Sequence, residues 1–335
     1  MKISVWILGD QLLNPHPALL AAEKQVPREN ITVLLAESRS LTQRLPYHVK
    51  KMVLIFSAMR HYTQELTSAG YQVDYRQSPD FTSALSDHID AYQPQKLLMM
   101  ASINLRGRAF QYRLKEKLGA EVHILDNTQF LSARYDPLPR IESGDTVRQE
   151  TFYRKMRAHY DVLMTASGEP VGGQWNFDKK NRQSLPDDVH VPEPLYFEPD
   201  EMTRKVMDEI DKSQVGVGEL NGFDLAVNRE QVMQAAEDFF ENRLPNFGTY
   251  EDAMRADESV LFHSKLSPYV NIGLLDPLAL VKEVEKRYHA GQVEINHAEG
   301  FIRQVIGWRE YMHWQYQRLD LNLAEINYWG FTRSL

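Results

Sequence analysis

The chain has no cysteine among its 335 residues. Disulfides, thiolate nucleophiles and cysteine-ligated metals are therefore excluded within it. Long apolar runs are also missing, since nothing approaches the ~18 consecutive apolar residues of a membrane span. The opening residues, Met1 to Asp10, turn acidic too soon for a signal peptide. They read as a first β-strand, and the expected location is the cytoplasm. Positive charge is not in excess: 38 basic against 46 acidic side chains leave a net −8, so the average field does not favour nucleic acid. Local clusters can still meet phosphates, because screening favours near contacts over remote charge. The segments 154–159 (Arg154, Lys155, Arg157, His159) and 179–182 (Lys179, Lys180, Arg182) are the candidates, and each reads equally as a solvated face.

Several signatures of common chemistries are absent as well. No three-glycine dinucleotide fingerprint follows the first strand, no phosphate-binding Gly-Lys-Ser loop exists, and no Gly-x-Ser-x-Gly elbow marks a hydrolase. The 11 histidines show no His-x-x-x-His or His-Glu-x-x-His spacing, so no metal site is expected. There is no internal repeat and no low-complexity tract. What remains, 43% hydrophobic and 25% charged residues, describes a folded chain long enough for two domains.

The pattern divides in three. Residues 2–8 and 31–36 are continuous β-branched and apolar runs of the kind buried on both faces of a parallel sheet. Strand patterns at 71–75, 96–100 and 122–125 alternate with helical ones at 49–69, 81–92 and 105–118. This rhythm predicts a doubly wound α/β domain with a five-stranded parallel sheet over residues 1–130. Residues 131–202 hold 7 of the 16 prolines and form a connector with one helical piece near 149–164. From 203 to 335 the pattern is helical, with helices expected at 203–212, 228–242, 249–256, 267–290 and 297–318. Pro277 suits the first turn of a new helix.

Four constellations could carry chemistry. Gly9 and Asp10 end the first strand and Glu37 the second, where open α/β sheets place ligands. The two carboxylates could hold a polar heterocycle, or serve as a turn cap and a solvated residue. Residues 152–157 interleave aromatics with cations, which suits stacking on nucleic acid or an amphipathic helix. Residues 172–182 combine two glycines, Trp175, Phe177, Asp178 and Arg182, more like a site wall than a free linker. Ser264 and Ser267 stand where a helix opens, a natural anion site. Further on, Trp308, Tyr311, Trp314 and Tyr316 crowd one helix. Such a stripe usually packs in a core, yet Arg303 and Arg309 on that helix need partners when buried, either a pyrophosphate or a carboxylate.

Taken together, residues 6–12, 55–61, 172–182, 247–254, 264–269 and 299–311 resemble the bacterial iron–sulfur photolyase–cryptochrome family, also called prokaryotic (6-4) photolyases or deoxyribodipyrimidine photolyase-related proteins. The resemblance spans essentially the whole chain. Ser264-Lys265-Leu266-Ser267-Pro268-Tyr269 and Trp308-Arg309-Glu310 are its most specific parts. It implies an α/β antenna domain followed by an all-α FAD-binding domain of photolyase type. It also implies light-driven electron transfer from reduced flavin to a (6-4) photoproduct flipped out of UV-damaged DNA.

By that resemblance His263, Ser264, Lys265, Leu266 and Ser267 meet the cofactor phosphates, Tyr250 lies near the adenosine, and Gln304 and Arg309 flank the FAD. Trp308 faces the lesion cavity, with Asp178 and Arg182 at its mouth. Gly9, Asp10 and Glu37 hold a 6,7-dimethyl-8-ribityllumazine antenna. Family members continue past Leu335 into a part with the cysteines of an iron–sulfur cluster. The expectation is thus a monomeric member with an incomplete helical domain, exposing Trp314, Tyr316 and Trp329, binding FAD weakly and repairing nothing alone. A cryptochrome-like blue-light photosensor and a non-catalytic binding fragment are the alternatives.

Overall fold

The computed structural model describes residues 1–141 and 145–319. Five strands, β1 (Ile3–Ile7), β2 (Ile31–Ser38), β3 (Gln72–Ser78), β4 (Lys96–Met100) and β5 (Glu121–Leu125), form one sheet in the order β3-β2-β1-β4-β5. Every pairing is parallel, as the sequence pattern predicts. β1 and β2 are buried at every position, which explains their continuous apolar runs.

The strand order reverses between β1 and β4, the switch point where open α/β sheets leave a crevice. Here the chain itself occupies that edge. Gln11 donates its side-chain amide to the Ala101 carbonyl at 3.0 Å, and the Leu12 N–H donates to the Ile272 carbonyl at 2.8 Å. The Gln129 amide donates to the Asn271 carbonyl at 2.7 Å. Gly273, at φ +85°, makes the approach possible, because a Cβ there would sit 3.0 Å from the Leu12 nitrogen. One hydrophobic cluster accordingly runs from Val5 and Leu35 of the sheet to Leu274, Phe301 and Ile306 of the helical part.

A buried polar relay pins the helix Phe81–Tyr92 to the sheet. The Ser4 hydroxyl lies 2.7 Å from His88 Nε2, and His88 Nδ1 lies 2.7 Å from the Asp74 carboxylate. The order resembles a hydrolytic triad, but Ser4 and His88 are fully buried, so no substrate reaches them and the relay is structural.

The helical part contains the helices Glu201–Ser213, Arg229–Asn242, Ser267–Asn271, Pro277–His289, Ile295–Ile302 and Glu310–Leu319. Three sequence expectations change. Residues 249–256 form no helix; His297 Nδ1 accepts the N–H groups of Gly248 and Thr249, and the His263 ring meets the Glu251 carbonyl, so side chains hold the backbone in a loop. The helix expected over 267–290 breaks at Gly273 and restarts at Pro277. The helix expected over 297–318 contains a π-helical segment, Arg303–Arg309, which rotates the following side chains relative to an α-helix. The expected exposure of the late aromatics is also revised. Trp314 is buried against Phe152, with its Nε1 donating to Asp136 at 3.0 Å. The Tyr316 hydroxyl accepts the Leu105 N–H, whereas Trp308 and Met312 are the exposed apolar residues; Trp329 lies outside the described residues.

Burial keeps several histidines neutral. His16 and His313 are pushed down to about 3, and His88 and His297 are lowered too. A histidine whose folded value lies below its unfolded value stabilises the fold fully above pH ~6.5, and that stabilisation is lost as pH falls toward the folded value. For His16 this amounts to about 2 kcal/mol between pH 7 and pH 5. In urea denaturation, the stability difference between wild type and His16→Gln should shift by that amount against wild type over this range. A pH-independent difference would contradict it.

Candidate functional site

The connector and the late helix meet at one arginine. Arg303, in the first turn of the π segment, pairs with Asp178 and with Glu251 (3.2 Å), and its Nε lies 3.6 Å from Glu299. Glu299 is fully buried; it also accepts the Tyr153 hydroxyl at 2.9 Å and the Phe177 N–H at 3.3 Å. Burial raises the Glu299 carboxyl above its usual range while Arg303 opposes the shift. This set of bonds ties the loop before Asp178, the helix Gln149–Tyr160 and the late helix into one wall.

In front of that wall is a cavity of about 340 Å³, lined among others by Gln149, Asp178, Arg182, Glu251, Gln304 and Trp308. Trp308 is 45% exposed and edge-on to Tyr311 at 6.2 Å. Arg182 is at the rim, 3.9 Å from Asp178. Gln304 reaches Glu251 at 3.5 Å. Four of the residues singled out in the sequence therefore share one cavity, a size suited to a heterocycle. Glu251, absent from the sequence-derived set, is its most perturbed carboxylate. Burial pushes its carboxyl up to about 7, with Asp252, Asp178 and Glu299 adding to the shift and Arg303 opposing it. Its position in the aromatic and acidic run Tyr250-Glu251-Asp252 was the available signal.

The residues 263–267 lie behind Glu251. His263 Nε2 meets the Glu251 carbonyl at 3.0 Å and its Nδ1 meets the Val260 carbonyl at 2.9 Å. Tyr250 stacks on Phe262 at 5.4 Å. Leu266 is buried, and the Ser264 hydroxyl accepts its N–H at 3.3 Å. Ser267 is exposed and opens a helix of only five residues, whose Tyr269 and Val270 N–H groups already donate to Leu266. The anion-binding capacity expected at this helix entrance thus falls to hydroxyls and cations. Lys265 is 4.6 Å above the Tyr196 ring, and Arg243, a buried residue missed in the sequence, pairs with Asp238 at 2.9 Å while its Nε and Nη1 have no hydrogen-bond partner among the described residues.

The remaining candidates lie elsewhere. Arg309 does not line the cavity; it pairs with buried Glu310 at 2.6 Å and lies 3.8 Å above the Phe130 ring, so its partner is a carboxylate. Glu37 accepts from Tyr75, from Arg60 (3.0 Å) and from Gln77 (3.0 Å), and it borders a second cavity of about 490 Å³ with Met52, Phe56 and Ile210. Gly9 and Asp10 do not line that cavity: Gly9 packs on Met59, and burial raises the Asp10 carboxyl. In the basic cluster 154–159, Arg157 is buried and donates to the Val162, Leu163 and Trp175 carbonyls. Lys179 and Lys180 are exposed beside the cavity residue Asp178.

A parallel α/β sheet joined to a helical part is the architecture of photolyases and cryptochromes. Two solved structures share the fold: a bacterial class III photolyase from Agrobacterium tumefaciens (TM-score 0.60, 17% identity, 97% of this chain and 61% of that one) and a Synechocystis cryptochrome (TM-score 0.62, 14% identity, 95% and 61%). The chain belongs to the deoxyribodipyrimidine photo-lyase-related protein family, whose profile matches residues 5–225. It is 36% identical over 342 aligned positions to a (6-4) photolyase of Agrobacterium fabrum, covering 100% of this chain and 66% of that protein. The chain therefore spans just under two thirds of the length of these relatives.

Removing the arginine that holds the wall leaves several carboxylates unpaired. Arg303→Met should cost about 3–5 kcal/mol at pH 8. Part of that loss should be recovered at pH 6, where Glu251 takes a proton. Equilibrium denaturation at the two pH values checks both, and a variant as stable as wild type at pH 8 would contradict the account.

Proposed function

We propose that this chain serves FAD-dependent, light-driven repair of (6-4) pyrimidine photoproducts in DNA, with the cavity at Trp308 receiving the extruded base. The observation that carries the reading is the convergence of Asp178, Arg182, Gln304 and Trp308 on one cavity. The match along the whole chain to a protein named a (6-4) photolyase supports it. A base lifted from a duplex needs a stacking face and edge partners. Half-exposed Trp308 offers the first, and the Asp178, Glu251 and Gln304 side chains offer the second. Lys179, Lys180 and Arg182, exposed at the mouth, would meet the flanking phosphates.

FAD would supply the light-driven electron. Four side chains fit its anionic half: Ser264 and Ser267 offer hydroxyls, Lys265 an ammonium, and Arg243 a buried guanidinium with two N–H groups unpartnered among the described residues. Tyr250 and His263 would border the adenosine side, and Gln304 would stand between cofactor and base. A lumazine antenna fits the volume of the second cavity, resting on Phe56 and Met52. Glu37, its oxygens already engaged, would shape that site more than bind the ring. With no cysteine, these residues supply no thiolate for an iron–sulfur cluster. A cryptochrome-like photosensor would use the same flavin residues without needing the base cavity, so the cavity favours repair.

Binding to a (6-4)-containing duplex and to its undamaged counterpart tests the reading. Wild type should prefer the lesion. Trp308→Ala should reduce lesion affinity about tenfold, the usual worth of one base–aromatic stack, and leave the undamaged duplex unaffected. Equal binding of the two duplexes by wild type would overturn the proposal.

A further inference from the structure

We propose that the Trp308 cavity selects a neutral heterocycle through its N–H edge, with Glu251 as the specificity-determining acceptor, and that it excludes anions. The inference rests on the base-receiving role proposed above and adds which face of a base the cavity reads.

Charge is the first argument. Glu150, Asp178, Glu251 and Asp252 line the cavity against only Arg182 and Arg303. Arg303 is already shared among Asp178, Glu251 and Glu299, and Arg182 stands exposed at the rim. Carboxylates therefore outnumber available cations inside, and a phosphate entering would meet like charge in a partly desolvated site. DNA can offer this cavity only its uncharged part, a base.

Hydrogen-bond inventory is the second argument. Glu150 Oε1 is taken by Arg154 and Asn176, and Asp178 by Arg303. Glu251 keeps lone pairs free: its Oε1 accepts from Arg303 at 3.2 Å and its Oε2 from Gln304 at 3.5 Å, one contact for each two-lone-pair oxygen. An imide N–H of a pyrimidine is the complement of a carboxylate acceptor. Gln304 on the same cavity wall supplies the opposite polarity: its Nε2 is a donor held only by the 3.5 Å contact with Glu251. Acceptor and donor on one cavity wall match the alternating C=O and N–H edge of the lesion's 5′ ring, which keeps its imide.

Proton linkage follows from the setting of Glu251. The charged groups around it are Arg303 and Glu299 on the late helix, Asp178 on the connector and Asp252 on its own loop, while the His263 ring touches its backbone. Burial pushes the Glu251 carboxyl up to about 7, with these three carboxylates adding to the shift and Arg303 opposing it. An ionised carboxylate accepts an N–H strongly and a protonated one weakly.

The test is binding of the 335-residue protein to three duplexes: one with the (6-4) lesion, one with the lesion N3-methylated on its 5′ ring, the ring that keeps an imide N–H, and one undamaged. Lesion affinity should rise about tenfold from pH 6 to pH 8, as the ionised fraction of a group titrating near 7 rises. N3-methylation should cost about tenfold at pH 8, the worth of a hydrogen bond to a charged group. Glu251→Gln should flatten the pH profile. A lesion preference insensitive to both pH and N3-methylation would overturn the inference while leaving the repair reading intact. No lesion preference at any pH would overturn the repair reading itself. Both wild-type measurements stand even if Glu251→Gln does not fold.

Discussion

Arg303 is the point on which the site depends. A guanidinium at low exposure is tolerable only when its charge and its donors are met. Here Asp178 from the connector and Glu251 from a loop take its two terminal nitrogens, and Glu299, one turn earlier on its own helix and 3.6 Å from its Nε, adds a third balancing charge. Because these carboxylates come from separate stretches of chain, satisfying one cation fixes the relative positions of three segments. The cavity beside Trp308 is what remains open once they are fixed. Its acidic character is a consequence of the same arrangement: three acids gathered around one base leave an excess of negative charge, and burial turns that excess into a shifted Glu251.

A second constraint holds the helical part against the sheet. The amides of Gln11 and Gln129 and the backbone of Leu12 occupy the edge where β1 and β4 diverge. In many doubly wound domains that edge takes a ligand. In this chain it takes the Asn271–Gly273 turn, so the two cavities lie away from it, one beyond the carboxyl ends of β2 and β3 and one between the connector and the late helix. This displacement explains why Gly9 and Asp10, well placed by the general rule, do not share a cavity with Glu37.

Much of the architecture was legible in the residues. Continuous apolar runs at 2–8 and 31–36 marked the buried central strands because burial on both faces leaves no polar side to reveal. The aromatic and charged density of 172–182 marked a site wall, and Asp178 and Arg182 do line the cavity. Other features depend on contacts that no local pattern reports. The loop at 249–256 has helical composition, but His297 and His263 bond its backbone from afar. The π segment leaves no periodic trace distinct from an α-helix, and it alters which residues of 303–309 share a face. For Arg309 the residues left open a pyrophosphate or a carboxylate partner; the carboxylate it pairs with is its immediate neighbour Glu310, a pairing that helical geometry alone does not suggest.

The central claim, that an extruded base enters beside Trp308, is tested most directly by a crystal structure of the protein with a (6-4)-containing duplex. The account predicts the lesion out of the helix, one ring against Trp308 and its N–H edge toward Glu251. A lesion left stacked in the duplex, or bound away from Trp308 with the Asp178–Arg303–Glu251 cavity empty, would contradict it.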